Sequence, residues 1–320
     1  MQPHNEFRIH PHVVQIGCYW GQGGHTELYL VEGDPLTLID TGVNDSPTKY
    51  VGPALESLGY SLKDVKLIVN THGHYDHTGG NAEMIALSGA PLWAPEADAR
   101  AVEDLDYQFE TYFTGRHVLA GRSDRLEAAR AAFKTFVGQA TKVSRKLKND
   151  EALDFGKGIR LRVIPVPGHT KGSVCLAWES EGLFLGGDSI AGLSPAPGGL
   201  PLIYYPDDYR RSIQRLQGLD IAVLALAHHY RTTTVPTESV HLKQNVKKYL
   251  AEALAILDAI EDSMRRAAAS RPGADFLETA RLATDLLAGR LPIVKSEEGL
   301  PLFGNTESFY GCWKLMKGLS

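Results

Sequence analysis

Within six residues, His72-Gly73-His74-Tyr75-Asp76-His77, the chain presents three imidazoles and a carboxylate. Only twelve histidines are spread over the 320 residues, so this density is not a chance feature of a polar loop. Imidazole nitrogen and carboxylate oxygen together suit borderline divalent ions such as Zn²⁺. Gly73, and then Gly79-Gly80, permit the tight backbone path that gathers such side chains. The segment directly follows residues 66–70, which read as a short apolar strand. That placement constrains the fold, because open α/β sheets assemble their sites at strand ends.

Three later segments repeat the arrangement. Pro167-Gly168-His169-Thr170 follows the apolar stretch 159–166, and Gly186-Gly187-Asp188 follows residues 183–185. The longest clear apolar run, residues 221–227, ends in His228-His229. Taken singly, His169 suits a turn, Asp188 a helix cap and His228 a strand edge. Taken in order with the first motif, they read as further metal ligands.

The rest of the chain supplies the frame. Strands are predicted at 12–17, 27–32 and 36–39, followed by a helix capped by Ser46, entered through Pro47 and stopped at Gly59. A second helix over 81–88 ends at Gly89, and 91–94 reads as another strand. From 95 to 150 the pattern changes: Leu126, Arg130, Phe133 and Val137 follow helical spacing, which predicts a helical insertion. Its basic run, residues 142–148, reads as a solvated helix face, with an anchor for an anionic substrate such as a CoA or glutathione conjugate as the alternative. Strands resume at 159–166, 173–178, 183–185 and 221–227, with a helix over 207–217. Helices follow over 238–270 and 274–287, broken at Arg271-Pro272-Gly273. Strands alternating with helices predict an α/β layered fold. The units on either side of the insertion suggest two similar halves. We read 1–235 as the catalytic part, interrupted by 95–150, and 236–320 as a mainly helical extension packed on it.

Composition narrows the function. Hydrophobic residues make up 43% and charged residues 22%, and the formal charge is −5. This fits a packed globular chain acting on a small molecule, with no nucleic-acid or membrane partner. Cys18, Cys175 and Cys312 are odd in number and far apart, the opening residues carry no signal-peptide pattern, and no apolar stretch approaches about 18 residues. A cytoplasmic location is expected. The stripe Leu250, Leu254, Leu257 and Ile260 suits core or a subunit interface, which leaves a homodimer open. No Gly-x-Ser-x-Gly element competes with the metal chemistry, and Cys175 reads as structural.

The HxHxDH run, the PGHT and GD segments, the late histidine and the Asp40-Thr41-Gly42 strand end resemble the metallo-β-lactamase superfamily, over about residues 13–230. The resemblance implies a four-layer αββα sandwich with a two-metal site, zinc most readily, with iron or manganese as substitutes. It implies that His72, His74 and His169 bind one ion, Asp76, His77 and His228 the other, and that Asp188 bridges them. Ala227-His228 matches the family's small residue before histidine, which favours His228 over His229. Asp40 is expected to orient a ligand imidazole through its other nitrogen. The implied reaction is attack of hydroxide, held between the two ions by Asp76 and Asp188, on the carbonyl of an ester, thioester or lactone. Phosphodiester cleavage, iron-dependent redox chemistry on the same fold, and a binding protein that retains the site are the alternatives.

The branch is less defined. Residues 71–81 resemble glyoxalase II, whereas Gly187-Asp188-Ser189-Ile190 and Ala227-His228-His229-Tyr230 depart from it. β-Lactamases of the commonest subclass carry Cys where this chain has Asp188, so antibiotic hydrolysis is disfavoured. One of Tyr204, Tyr205, Tyr209 and Tyr230 is expected to serve the developing oxyanion. The aromatic residues of the insertion, Tyr107, Phe109, Tyr112, Phe113, Phe133 and Phe136, are expected either to roof the pocket or to pack the insertion onto the sandwich.

Overall fold

The computed structural model describes residues 5–119, 121–194, 198–301 and 306–318, the side chains of residues 22 and 116 excepted. Two sheets face each other. The first runs in chain order through β1 (Glu6–His10), β2 (Val13–Trp20), β3 (Gly24–Glu32), β4 (Leu36–Ile39), β5 (Leu67–Val69), β6 (Leu92–Pro95) and β7 (Arg145–Leu147). Its first four strands pair antiparallel and its last four in parallel. The second sheet runs through β8 (Ala152–Asp154), β9 (Arg160–Pro165), β10 (Val174–Trp178), β11 (Leu183–Gly187), β12 (Val223–Leu226) and β13 (Val240–Leu242). Only β11 and β12 pair in parallel there. Parallel neighbours need a crossover, and helices supply it: Gly52–Ser57 between β4 and β5, Asn81–Ser88 between β5 and β6, and Pro206–Gln217 between β11 and β12.

Three cores stack into four layers. Val31, Ile39, Val69, Leu176, Leu185 and Ala225 meet between the sheets. Leu28, Leu38 and Ile68 pack outward on Leu55 and Met84 of the first helical layer. Phe184 and Leu224 pack outward on Ile213, Leu250 and Leu257 of the second. Strands β10 and β11 are buried along their whole length, because each lies between a sheet and a helical layer and so carries no polar alternation. The αββα sandwich is the expected one.

Two stretches fold differently from the expectation. Residues 142–148 are no helix face: Arg145, Lys146 and Leu147 form β7 and pair with Trp93, Ala94 and Pro95. The misleading signal is the spacing of the buried Val143 and Leu147, four apart with charges between, which mimics a helix. The Arg145 guanidinium lies 4.4 Å over the Trp93 ring, so part of this basic run is spent on the sheet edge. The long helix begins at Lys243 and not at 238, because Val240–Leu242 completes the second sheet as β13. The sandwich therefore takes its last strand from beyond position 235. At the other boundary, helix Lys243–Ser270 and helix Phe276–Ala288 share a core built on Ile260, Met264, Ala283 and Leu287.

His241, on β13, is fully buried and stacks on Tyr249 with ring centroids 4.2 Å apart. Neither ring nitrogen finds a hydrogen bond. Burial disfavours the imidazolium and lowers its pKa to about 4. The folded chain thus refuses a proton that the unfolded chain accepts below about 6.5, so stability is complete above that pH and is lost progressively as pH falls towards 4. His241→Phe is expected to shrink the difference in Tm between about pH 7.5 and about pH 5 relative to the parent chain; thermal melts at both pH values check this, and an unchanged difference would show that His241 does not contribute.

Candidate metal centre

Every donor singled out in the sequence lies at the rim where the two sheets end. His72 and His74 stand on the loop after β5, and Asp76 and His77 lie in the single turn Tyr75–Thr78. His169 follows β9, Asp188 follows β11, and His228 follows β12. The donor atoms of His72, His74 and His169 lie within 4.8 Å of one another, as do those of Asp76, His77 and His228, and those of His72, His77 and Asp188. Asp188 is central. Its Oδ1 is 3.5 Å from His77 Nε2, and its Oδ2 is 3.4 Å from His169 Nε2 and 3.2 Å from His228 Nε2. His229 turns away, with its Nε2 3.0 Å from Glu27 Oε1.

Local backbone chemistry sets these positions. A Cβ on Gly80 would lie 2.4 Å from the Thr41 carbonyl oxygen, and one on Gly187, where φ is +52°, would lie 2.5 Å from Thr71 Oγ1. Both positions require glycine. Asp40, with φ of +60°, ends β4 in the left-handed region. Its Oδ1 accepts from Thr71 N at 2.7 Å and its Oδ2 from Thr71 Oγ1 at 2.7 Å. Oδ2 also pairs with His77 Nδ1 at 2.8 Å, which fixes that proton on Nδ1 and leaves Nε2 as the free donor atom. The Leu202 carbonyl does the same for His169, accepting from its Nδ1 at 2.9 Å.

Charge divides the imidazoles into two kinds. Burial, then the neighbouring rings, holds His72 and His74 well below the usual histidine range. Burial likewise lowers His169. Burial also opposes charge on His77 and His228, but Asp188 and its neighbours outweigh it: His77 is driven well up and His228 to about 10. Asp76 and Asp188 are held low, their burial offset by these two rings. The protons on His77 and His228 thus occupy the place that a divalent cation would take, so metal uptake releases protons.

The cluster forms the floor of a cavity of about 260 Å³, walled by Tyr75, Phe113, Leu200, Pro201, Leu202 and Tyr230. The helical insertion reaches this wall through Phe113, while Phe109, Phe133 and Val137 form its own small core. Of the four tyrosines considered, Tyr230 lines the cavity. The Tyr204 and Tyr209 hydroxyls donate to the Tyr112 and Ala191 carbonyls, each at 2.6 Å. Tyr205 lies in a separate surface pocket.

Sequence reasoning missed Asp98, which sits 1% exposed beyond β6. Its Oδ2 accepts from Gly73 N at 2.9 Å and Thr170 Oγ1 at 2.6 Å, and its Oδ1 from Gly172 N at 3.0 Å and the Tyr112 hydroxyl at 3.2 Å. One carboxylate thereby ties the loop of His72 and His74 to the loop of His169 and to the insertion. Burial raises its pKa, although the donors around it oppose the rise. No local pattern marks such a residue, because its four partners are 14 to 74 positions away. Asp98→Asn turns an acceptor into a donor facing backbone N–H groups, and is expected to weaken zinc binding by about 10- to 100-fold. Competition against a chromogenic chelator measures this; unchanged affinity would show that the loops hold without Asp98.

Comparison with known proteins agrees with this architecture. The family description "Metallo-beta-lactamase superfamily" matches residues 22–228, well over half of the chain. A probable metallo-hydrolase of Bacillus subtilis, YqjP, is 25% identical over 89% of this chain and 93% of its own length. A hydroxyacylglutathione hydrolase of Anaeromyxobacter dehalogenans is 31% identical over 53% of this chain and 48% of its own. Among solved structures, a metallo-beta-lactamase family protein of Thermus thermophilus superposes with a TM-score of 0.71 at 22% identity, covering 97% of this chain and 95% of that one. The chain belongs to the metallo-beta-lactamase superfamily and is, by that membership, a metallo-hydrolase.

Proposed function

We propose that the chain hydrolyses a carboxylic ester, thioester or lactone, using two divalent ions held in this cluster. His72, His74 and His169 would hold one ion and Asp76, His77 and His228 the other, with Asp188 between them. Zinc suits the donor set best, and iron or manganese are alternatives. The observation that carries this reading is the reach of Asp188 to rings of both groups, 3.2 to 3.5 Å away. The fit is supported by His74 Nδ1, which faces His169 Nε2 at 2.8 Å, and by buried atoms with no hydrogen-bond partner: Nε2 of His72 and His77, and Oδ1 of Asp188. Buried polar atoms are rarely left so. When bound, such ions supply Lewis acidity and bring the pKa of a water into the neutral range.

The chain's own groups do the rest. Asp76 Oδ2, which accepts from Thr26 Oγ1 at 3.4 Å, and Asp188 Oδ2 are the oxygens that orient an attacking water and take its proton. Burial, and then the Asp188 carboxylate, hold the Tyr230 hydroxyl well above its ordinary pKa. Like any tyrosine it is an O–H donor at neutral pH; hydrogen-bonded to Asp188 and placed in the cavity wall, it would turn to the developing oxyanion. Phe113, Leu200, Pro201 and Leu202 receive the acyl part and exclude water. No Lys or Arg lines the cavity among the described residues, which favours a neutral carbonyl over a phosphodiester. The likeness to a hydroxyacylglutathione hydrolase supports an acyl substrate.

Elemental analysis of the purified chain is expected to give about two equivalents of transition metal. Chelation should abolish activity and re-addition restore it. A panel of esters, thioesters, lactones and phosphodiesters, with His72→Ala as control, decides the substrate class. Turnover of phosphodiesters alone, or activity surviving in the control, would overturn the reading. Tyr230→Phe is expected to lower kcat about 10- to 100-fold with little change in KM; an unchanged kcat would remove Tyr230 from the reaction. Activity should also fall below about pH 6 as protons displace the metal from its imidazoles.

A further inference from the structure

We infer that the chain carries a third metal site, formed by His25, Glu27 and His229, which takes a divalent transition-metal ion such as Zn²⁺. Strand alternation places it. Thr26 of β3 turns to Asp76 in the catalytic cluster, so His25 and Glu27, one residue to either side, face the other way. Past β12 the same split recurs, with His228 turned to Asp188 and His229 to Glu27. A backbone hydrogen bond from Glu27 N to the Ala227 carbonyl, at 2.7 Å, pins the two segments together.

The donor set is already gathered. One donor atom each from His25, Glu27 and His229 lies within 4.8 Å of the other two. His229 Nε2 is 3.0 Å from Glu27 Oε1, and the His25 and His229 rings meet at 4.7 Å. His25 Nε2 accepts from the His229 backbone N at 3.3 Å, which holds the ring beside His229; ligation through Nε2 would exchange this long bond for the ion. Zinc bonds of about 2.0–2.2 Å need donors roughly 3.3 Å apart, a gap that rotation of the two part-exposed imidazoles closes. The Glu27 side chain is only 5% exposed, and among the described residues its ion-pair partner is His229 and no Lys or Arg. A buried carboxylate of this kind calls for a cation. Two imidazoles and one carboxylate, with a fourth position open, form a known zinc set. Glu27 and His229 line a cavity of about 610 Å³, separate from the catalytic one, through which an ion and a water can enter.

Equilibrium dialysis of the full chain against Zn²⁺, with metal counted by elemental analysis, tests the site. The parent chain is expected to bind two equivalents tightly and a third more weakly. Glu27→Gln and His229→Ala should each lose the third equivalent and keep the first two, with activity retained. Asp188→Ala should weaken the tight pair and leave the third in place, which separates a failure here from a failure of the catalytic assignment. With Co²⁺, the difference in visible absorption between parent and His229→Ala should show a site containing nitrogen ligands. Should Glu27→Gln fail to fold, as judged by melting, His229→Ala alone is decisive, because its side chain is 41% exposed. Saturation of the parent chain at two equivalents, or equal stoichiometry in parent and His229→Ala, overturns the inference.

Discussion

Asp40 accepts hydrogen bonds from Thr71 N, Thr71 Oγ1 and His77 Nδ1, and this three-way contact joins the end of β4 to both halves of the ligand-bearing loop. A left-handed residue other than glycine costs about 1–3 kcal/mol. Hydrogen bonds to a charged group contribute about 1.5–3 kcal/mol each, so three of them hold Asp40 in place with margin. What the contact secures is geometric: Thr71 places His72, and the fixed Nδ1 proton of His77 aims its Nε2 at Asp188. Around it, Asn70, Thr41 and Asn81 close a buried network on the His77 carbonyl. This network satisfies the buried amide and hydroxyl groups behind the loop.

Three further carboxylates crowd this rim, and their surroundings assign them different work. Asp98 is met by neutral donors, two backbone N–H groups and two hydroxyls, which do not fully offset its burial, and its carboxyl pKa moves up. Asp76 and Asp188 are met by imidazoles, and theirs move down. The first arrangement ties loops together and gains nothing from a cation. The second is a concentration of negative charge balanced only by titratable rings, which is the electrostatic signature of a cation site.

The order of the donors was legible in the sequence because each stands next to a strand whose apolar run is itself legible. Strand ends carry the site, so motif and fold were read from the same residues. His228 could be told from His229 only through a resemblance, since two adjacent histidines are equivalent by composition; the fold separates them by turning neighbouring residues to opposite sides. Asp98 was not legible, because its meaning lies in four partners from distant segments. Nor was β7, where Val143 and Leu147 show the spacing of a helix while pairing with β6 supplies a strand. Long-range partners and edge strands are decided by what they meet, and a local window contains none of it.

The same limit explains why chemistry was readable and substrate was not. Four of the residues that wall the cavity, Phe113, Leu200, Pro201 and Leu202, come from segments outside the ordered motifs. Ser308, in the helix Thr306–Met316, donates to the Pro201 carbonyl at 2.5 Å and accepts from Ile203 N at 3.0 Å. Between those contacts lies the Leu202 carbonyl that orients His169. Tyr204, two residues past Leu202, donates to the Tyr112 carbonyl of the insertion. The C-terminal extension and the insertion therefore meet at the wall and bear on His169 and His74, whose ring packs edge-to-face on Tyr112 at 4.4 Å. A change in either appendage therefore bears on cavity shape and on the support of His169 and His74 together, so the two are coupled through the 201–204 segment.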